Sequence, residues 1–314
     1  MANPAQAPVK FIRDDEYILL MEDAPGGVYE LDDLKRLRDA GIQTVIRYPF
    51  WKDIEVSLGN YQWRRVDDQI EMTRQAGMKC MFALYEFSPH FFPIDWYLKF
   101  PDGSLYQGGF YSHVISPWSE RGWAYHLGFI EKFCDRVCAD DVLTFRATVH
   151  GSEVMMPEYA PYRQDGDLLK TFERMIVEEQ RIFSRYNEEL WTCFHHAFDS
   201  LSYSGTAYAA YLRNLLLDEF PTRNHYCISY TQFRDDVVGE DKNLEDMNLY
   251  RLKMFAGSEY AEGLIANTDK AVLQGFRGMI SAPLHFYTGK KSLEPWMVDA
   301  VVESIKKWRE HVQH

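Results

Sequence analysis

The chain has 314 residues, of which 46% are hydrophobic and 26% are charged, as expected for a globular protein with a full core. Its formal net charge of −13 argues against nucleic acids and anionic membrane surfaces as partners, because both bind basic patches. No run approaches the roughly 18 apolar residues of a membrane span, and the first residues lack the apolar core of a signal peptide, so we expect a cytoplasmic location.

Strand-like and helix-like segments alternate through the first half of the chain. Short apolar runs at residues 17–21, 42–48 and 78–85 predict strands one to three. Amphipathic segments at 31–40 and 63–76 predict helices, and Gly41 and Gly77 follow them at the position where helices commonly end. A further helix is predicted over 123–139.

A long insert with little helical character, residues 86–121, follows the third predicted strand. It is too rich in aromatic residues to be disordered, and long ordered loops are usually functional. We expect it to form one wall of a substrate cleft, with His90, Trp96 and Trp118 as candidate substrate-binding residues. The alternative is a packed lid that contacts no ligand.

The same alternation continues to the end of the chain. Strands four to eight are predicted at 142–149, 190–198, 226–231, around Met254, and at 278–282. The predicted helices lie at 168–186, 207–220, 244–252, 268–276 and 295–312. Eight strand–helix pairs in a chain of this length predict a (β/α)8 barrel. No linker or charge block divides it, so we expect one domain over 1–314.

Two of the predicted strands run directly into glutamates. Strand four leads into His150, Gly151, Ser152 and Glu153, and strand seven ends in Gly-Ser-Glu259. In a barrel of parallel strands the carboxyl ends form the face that holds the active site. A pair of carboxyl groups there is the equipment of a glycosidase. The alternative is that both glutamates form salt bridges at the rim.

The first half of the chain also resembles a known group of enzymes. The stretch 31–47, the motif Leu58-Gly-Asn-Tyr-Gln-Trp-Arg-Arg-Val-Asp67 and Ala76-Gly-Met-Lys79 look like the opening of clan A glycoside hydrolases. The loop with Pro89, Trp96, Pro101-Asp-Gly103 and Ser116-Pro117 is similar to that of family 42 β-galactosidases. β-Amylases share the early pattern, so the resemblance leaves the stereochemistry open, and we expect retention.

The resemblance implies roles for individual residues. Glu153 matches the acid/base, and either Glu259 or Glu262 matches the nucleophile, with Glu259 favoured because a better strand precedes it. Arg47 and Tyr230 match residues that support the nucleophile. The clan usually has Asn before the acid/base, where this chain has Ser152, so Ser152 or His150 is expected to take that role. Further candidate substrate-binding residues are Trp51, His195 and His285.

Two other functions compete with this prediction. A metal-dependent barrel hydrolase would use histidines near strand ends, but strand one lacks His-x-His, and His195 and His196 point to opposite faces of a strand. A barrel that binds carbohydrate without cleaving it would need the aromatic residues but not both glutamates. The five cysteines show no zinc spacing or disulfide framework, so we expect a carbohydrate substrate and neither metal nor cofactor.

Overall fold

Eight parallel strands form a closed barrel in the computed structural model, which describes residues 18–22, 29–84, 88–100, 102–108, 111–137, 143–146, 168–195, 214–230, 253–258, 278–281 and five positions between 299 and 310. The strands are β1 Ile18–Glu22, β2 Thr44–Arg47, β3 Lys79–Ala83, β4 Leu143–Arg146, β5 Glu189–His195, β6 Asn224–Tyr230, β7 Lys253–Ser258 and β8 Gly278–Ser281. Each pairs with its neighbours in chain order, and β1 pairs with β8 to close the sheet. The predicted (β/α)8 barrel is confirmed.

Helices lie between the strands, and all of the described ones except the short second helix lie where the sequence pattern predicts them. They are α1 Leu31–Ala40, α2 Trp51–Ile54, α3 Arg64–Gln75, α4 Glu120–Val137 and α5 Leu168–Phe183. Residues 214–219 and the described positions 299, 302, 303, 306 and 310 are also helical. The helices predicted at 244–252 and 268–276 lie outside the described residues. Among the helices that are described, none combines the length and apolarity that a membrane crossing requires.

Glycine ends both α1 and α3. Gly41 has φ 109° and Gly77 has φ 72°, the left-handed conformation in which side chains are strained. The N–H of Gly41 donates to the Arg38 carbonyl at 2.8 Å, and that of Gly77 donates to the Arg74 carbonyl at 2.9 Å. Both glycines turn the chain toward the next strand, as their positions predicted.

The main core lies between the barrel and the helices. Val45 on β2 and Phe82 on β3 face outward and pack with Leu34 of α1 and other helix residues, and each is 0% exposed. Ile46 and Met81 are also 0% exposed and lie on the opposite, lumen-facing side of their strands, because successive strand side chains alternate. The alternation therefore assigns each side chain of β2 and β3 either to the lumen or to the helix-facing side. This includes the side chain of Arg47 at the end of β2.

Two short stretches of structure were not predicted from the sequence. The α2 helix leads into a hairpin of Glu55–Ser57 and Asn60–Tyr61. Within the loop after β3 there is a 3₁₀ turn, Ile94–Trp96, and a small hairpin of Gln107–Gly108 and Tyr111–Ser112. This loop has its own small core, in which Leu98, Tyr106 and Val114 are buried. It is an ordered structure, because it buries apolar side chains of its own.

Candidate active site

The parallel order of the barrel brings the carboxyl ends of all eight strands to one rim. Ser258, the last residue of β7, is the register partner of Ser281, the last residue of β8. His195 and Tyr230, the last residues of β5 and β6, are also partners. Two predicted substrate-binding residues therefore occupy neighbouring backbone positions at this rim, although their side chains lie outside what the structure describes.

The predicted catalytic glutamates follow two of these strand ends in the sequence. Glu259 comes directly after Ser258, the last residue of β7, and Glu153 lies beyond Arg146, the last residue of β4. Glu153, Glu259 and Glu262 lie outside the described residues, as do His150, Ser152 and His285. Their side-chain arrangement stays a prediction.

Arg47 is placed differently from the position that the resemblance implies. It lies on the same face of β2 as Val45, toward the helices, and one guanidinium nitrogen lies 3.9 Å from the sulfur of Met72 on α3. Burial lowers the pKa of Arg47 to about 10, and it raises that of the neighbouring Cys80 thiol to about 12. A group that supports a nucleophile in the lumen must point inward, so we leave Arg47 out of the proposed site.

Trp51 belongs to a packed aromatic layer against α4. Its indole is 1% exposed, and it stacks on Phe129 of α4 at 4.6 Å between ring centroids. Its Nε1–H donates to a carboxylate oxygen of Glu55 at 2.8 Å. A ring that binds substrate must have an exposed face, and the indole of Trp51 has none. The predicted substrate-binding role of Trp51 is therefore replaced by a structural one: it is a core residue that holds the loop after β2 against α4.

Glu55 is the centre of this layer and was not singled out from the sequence. Its carboxylate is 0% exposed and accepts hydrogen bonds from Trp51, from the Gly59 N–H at 2.8 Å and from the Tyr125 hydroxyl. Burial, together with the hydrogen bond to Glu55, raises the pKa of Tyr125, which stays protonated. The signal available in the sequence was the four-residue spacing of Trp51 and Glu55, which is too common to point to a buried network.

The loop after β3 is anchored to α4 through Trp96. This ring packs against Phe92 at 5.3 Å and Tyr125 at 5.5 Å between centroids, and its Cβ lies against Gly122. Trp118, by contrast, is 40% exposed. Of the two tryptophans in this loop that were predicted to bind substrate, Trp118 therefore has the larger exposed fraction. Whether this loop forms a wall facing the glutamates stays a prediction.

His90 stacks on His113, a residue that sequence reasoning missed. Their ring centroids are 3.9 Å apart, and the Tyr97 ring lies nearly perpendicular to that of His113, with 5.1 Å between their centroids. His113 has φ 60°, a left-handed conformation that is uncommon outside glycine. Burial, and then the nearby His90, lowers the pKa of His113. In the part of the chain that the structure describes, no three metal-ligating side chains converge.

Comparison with known proteins establishes the fold. No family model and no curated protein sequence matches the chain. Solved structures that resemble it include several glycosidases. The catalytic domain of a β-amylase from Paenibacillus polymyxa has a TM-score of 0.64 at 10% identity, covering 94% of this chain and 98% of that one.

Two further structures give the same result. A β-galactosidase from the psychrophilic Marinomonas ef1 has a TM-score of 0.61 at 10% identity, covering 94% of this chain and 60% of that one. An endoglucanase from Pseudomonas stutzeri has a TM-score of 0.56 at 13% identity, covering 95% and 96%. At such low identity these similarities establish the shared barrel fold.

Proposed function

We propose that the protein is a glycoside hydrolase that cleaves O-glycosidic bonds in an oligo- or polysaccharide by means of two carboxyl groups. The observation that carries the proposal is the closed parallel barrel, in which β4 and β7 each lead, at one rim, into a sequence containing Glu153 or Glu259. Solved structures with this fold that are glycosidases support the same class of reaction.

The reaction needs one carboxyl group protonated and the other ionised. We assign Glu153 as the acid that protonates the leaving oxygen, because the preceding residues His150, Gly151 and Ser152 include no permanent cation that would lower its pKa. We assign Glu259 as the nucleophile, with Glu262 as the alternative. Tyr230 and His195, at adjacent strand ends, are proposed to contact the substrate.

We propose a retaining mechanism, in which the second carboxylate attacks the sugar and water then releases it. Retention requires carboxyl groups about 5 Å apart, whereas inversion requires roughly 6.5–9.5 Å to admit a water molecule. The anomeric configuration of the first product, followed by proton NMR, distinguishes the two. A product of inverted configuration would replace this part of the proposal.

The experiment that tests the proposal combines a panel of nitrophenyl glycosides and oligosaccharides with variants of the predicted catalytic residues. Glu153→Ala is expected to lose more activity on oligosaccharides than on nitrophenyl glycosides, because only the poor leaving group needs a proton. Azide should restore turnover of the activated substrate in this variant. Glu259→Ala should be inactive on both.

A matched control is Glu71→Ala, which removes a carboxylate from the exposed face of α3 and should leave activity unchanged. If Glu262→Ala is the inactive variant and Glu259→Ala is only weakened, the nucleophile is Glu262. If wild type binds glycans but cleaves none, the barrel is a carbohydrate-binding protein. Activity abolished by a chelator and insensitive to Glu153→Ala would favour a metal-dependent hydrolase.

A further inference from the structure

An open groove lies in the loop after β3. Its volume is about 320 Å³, and its lining includes Asp95, Lys99, Ser116, Trp118 and Ser119. This volume is at the lower end of the range of roughly 300–1,000 Å³ that small-molecule sites occupy. The groove combines one large aromatic ring with a carboxylate, an ammonium group and two hydroxyls.

The walls of the groove are held by backbone hydrogen bonds. The N–H of Ser116 donates to the Trp96 carbonyl at 2.8 Å, and that of Leu98 donates to the Val114 carbonyl at 2.8 Å. The Arg174 side chain of α5 donates to the Pro117 carbonyl, which ties the second wall to the barrel. The groove is therefore preformed, and a ligand does not have to order the loop before it binds.

Its lining has the chemistry that a sugar ring requires. Trp118 is 40% exposed and offers a flat apolar surface to the C–H face of a pyranose. The hydroxyls of Ser116 and Ser119 each accept a backbone N–H at 3.3 Å, from Trp118 and Gly122 respectively. Each retains its own O–H as a donor. Together with the Asp95 carboxylate, these groups can bond sugar hydroxyls around the edge of the stacked ring.

The groove lies on the side of the barrel at which the strands end. The α4 helix ends at Val137, shortly before β4 begins at Leu143, so its first residue, Glu120, lies at the rim where strands end. Trp118 and Ser119 directly precede Glu120, and Pro117 contacts α5. The groove therefore lies above the outer helices, one layer outward from the strand ends.

From this geometry we propose that the groove is a distal carbohydrate subsite, in which Trp118 stacks on a sugar of a chain that extends over the rim. This inference rests on the proposed function and narrows it, because a chain that spans from the strand ends to the outer helices must contain several sugars. The substrate class is then an extended oligosaccharide or polysaccharide, not a disaccharide.

The test compares long and short substrates in Trp118→Ala. The measured quantity is the ratio of kcat/KM for an oligosaccharide of about six units to kcat/KM for the matching nitrophenyl monoglycoside. Truncation of one exposed aromatic anchor is expected to lower this ratio about tenfold. Trp118→Phe, which keeps a ring, should recover part of it, and it also guards against a folding defect in the alanine variant.

The matched control is Phe91→Ala, a similarly exposed aromatic residue of the same loop, at 41% against 40% for Trp118, that does not line the groove. It should leave the ratio unchanged. An equal fall in both variants, or no fall in Trp118→Ala, overturns the inference while leaving the glycosidase proposal intact.

Binding is measured separately by electrophoresis through gels containing soluble β-glucan, xylan, galactan or starch. Wild type should be retarded in at least one gel, and Trp118→Ala should lose most of that retardation, whereas Phe91→Ala keeps it. Wild type that migrates freely in every gel overturns the inference. Retardation that depends on Trp118, in a protein that hydrolyses no glycoside, supports the subsite and refutes the proposed activity.

Discussion

Glu55 shows how a single buried carboxylate organises the loop after β2. Three donors converge on it: the Trp51 indole, the Gly59 backbone N–H and the Tyr125 hydroxyl. The first two are separated from Glu55 by only four residues, and Tyr125 comes from α4. The carboxylate therefore links a local turn to a helix of the outer ring, and it holds Trp51 in the aromatic layer.

Glu55→Ala is expected to destabilise the protein by about 3 kcal/mol, because it leaves buried donors unsatisfied at about 1–3 kcal/mol each. Tyr125→Phe leaves the other two donors to Glu55 in place and should cost less, about 1 kcal/mol. Urea denaturation followed by tryptophan fluorescence measures both. The exposed variant Glu71→Ala should stay within about 0.5 kcal/mol of wild type. A Glu55→Ala variant as stable as this control would contradict the interpretation.

At the scale of whole elements, three glycines allow the effect of backbone conformation on stability to be compared at helix ends and inside a helix. Gly41 and Gly77 end helices at positive φ, whereas Gly128 lies inside α4, where a side-chain Cβ would meet nothing within 4 Å. An alanine at Gly77 would make only ordinary contact, 3.6 Å from the Arg38 side chain, so its cost comes from the backbone alone.

Gly77→Ala and Gly41→Ala are therefore expected to lower the free energy of unfolding by about 1–2 kcal/mol. Gly128→Ala should raise it by about 0.5–1 kcal/mol, because alanine restricts the unfolded chain and fits a helix interior. Thermal and urea denaturation of the three variants check the signs. The same sign at all three positions would show that backbone conformation is not the cause.

Burial of His113, and then its contact with His90, makes the loop after β3 sensitive to pH. The pKa of His113 lies below its usual value of 6.5, so the folded state holds this proton less tightly than the unfolded chain. Neutral His113 therefore makes its full contribution to the free energy of unfolding above about pH 6.5. This contribution is lost as the pH falls through the lowered pKa. Among the described groups packed against it, His90 and Tyr97 are the titratable ones.

His113→Asn should flatten the decline in stability between about pH 7.5 and about pH 5, because asparagine tolerates positive φ and does not titrate. Urea midpoints measured across this range give the slope, and the histidine resonances in NMR spectra give the pKa directly. A His113 pKa above that of an unfolded peptide would reverse the sign and refute the stacking explanation.

At the scale of the molecule, barrel closure makes the first and last strands interior strands. Met279 of β8 is in register with Leu19 of β1 on one side and with Ala256 of β7 on the other. Proline lacks the N–H that a ladder needs and is tolerated in sheets mainly at edges. In an open sheet, β1 and β8 would be edge strands and could accept a proline.

Met279→Pro is therefore expected to abolish soluble, cooperatively unfolding protein, and Leu19→Pro should do the same. Met279→Leu is the control for side-chain change and should fold. Yield of soluble protein, circular dichroism and cooperativity of unfolding are the measurements. A well-folded Met279→Pro protein would mean that β8 has a free edge and that the barrel is open.

Much of the fold could be read from the sequence because it depends on local interactions. Apart from α2, apolar periodicity located the described helices to within a few residues, and Gly41 and Gly77 marked helix ends since few other residues adopt their conformation. The eight alternating pairs also predicted the barrel, because short connections and parallel strands leave few other arrangements.

The direction of individual side chains was decided only by tertiary structure. Arg47 ends a strand as predicted, yet its side chain lies toward α3, because the face of a strand depends on which side its neighbours bury. Trp51 follows the same strand but is covered by α4, a helix far along the chain, and His113 meets His90 only through the folded loop. Contacts between distant segments cannot be read from local periodicity, so they emerge only when the barrel closes.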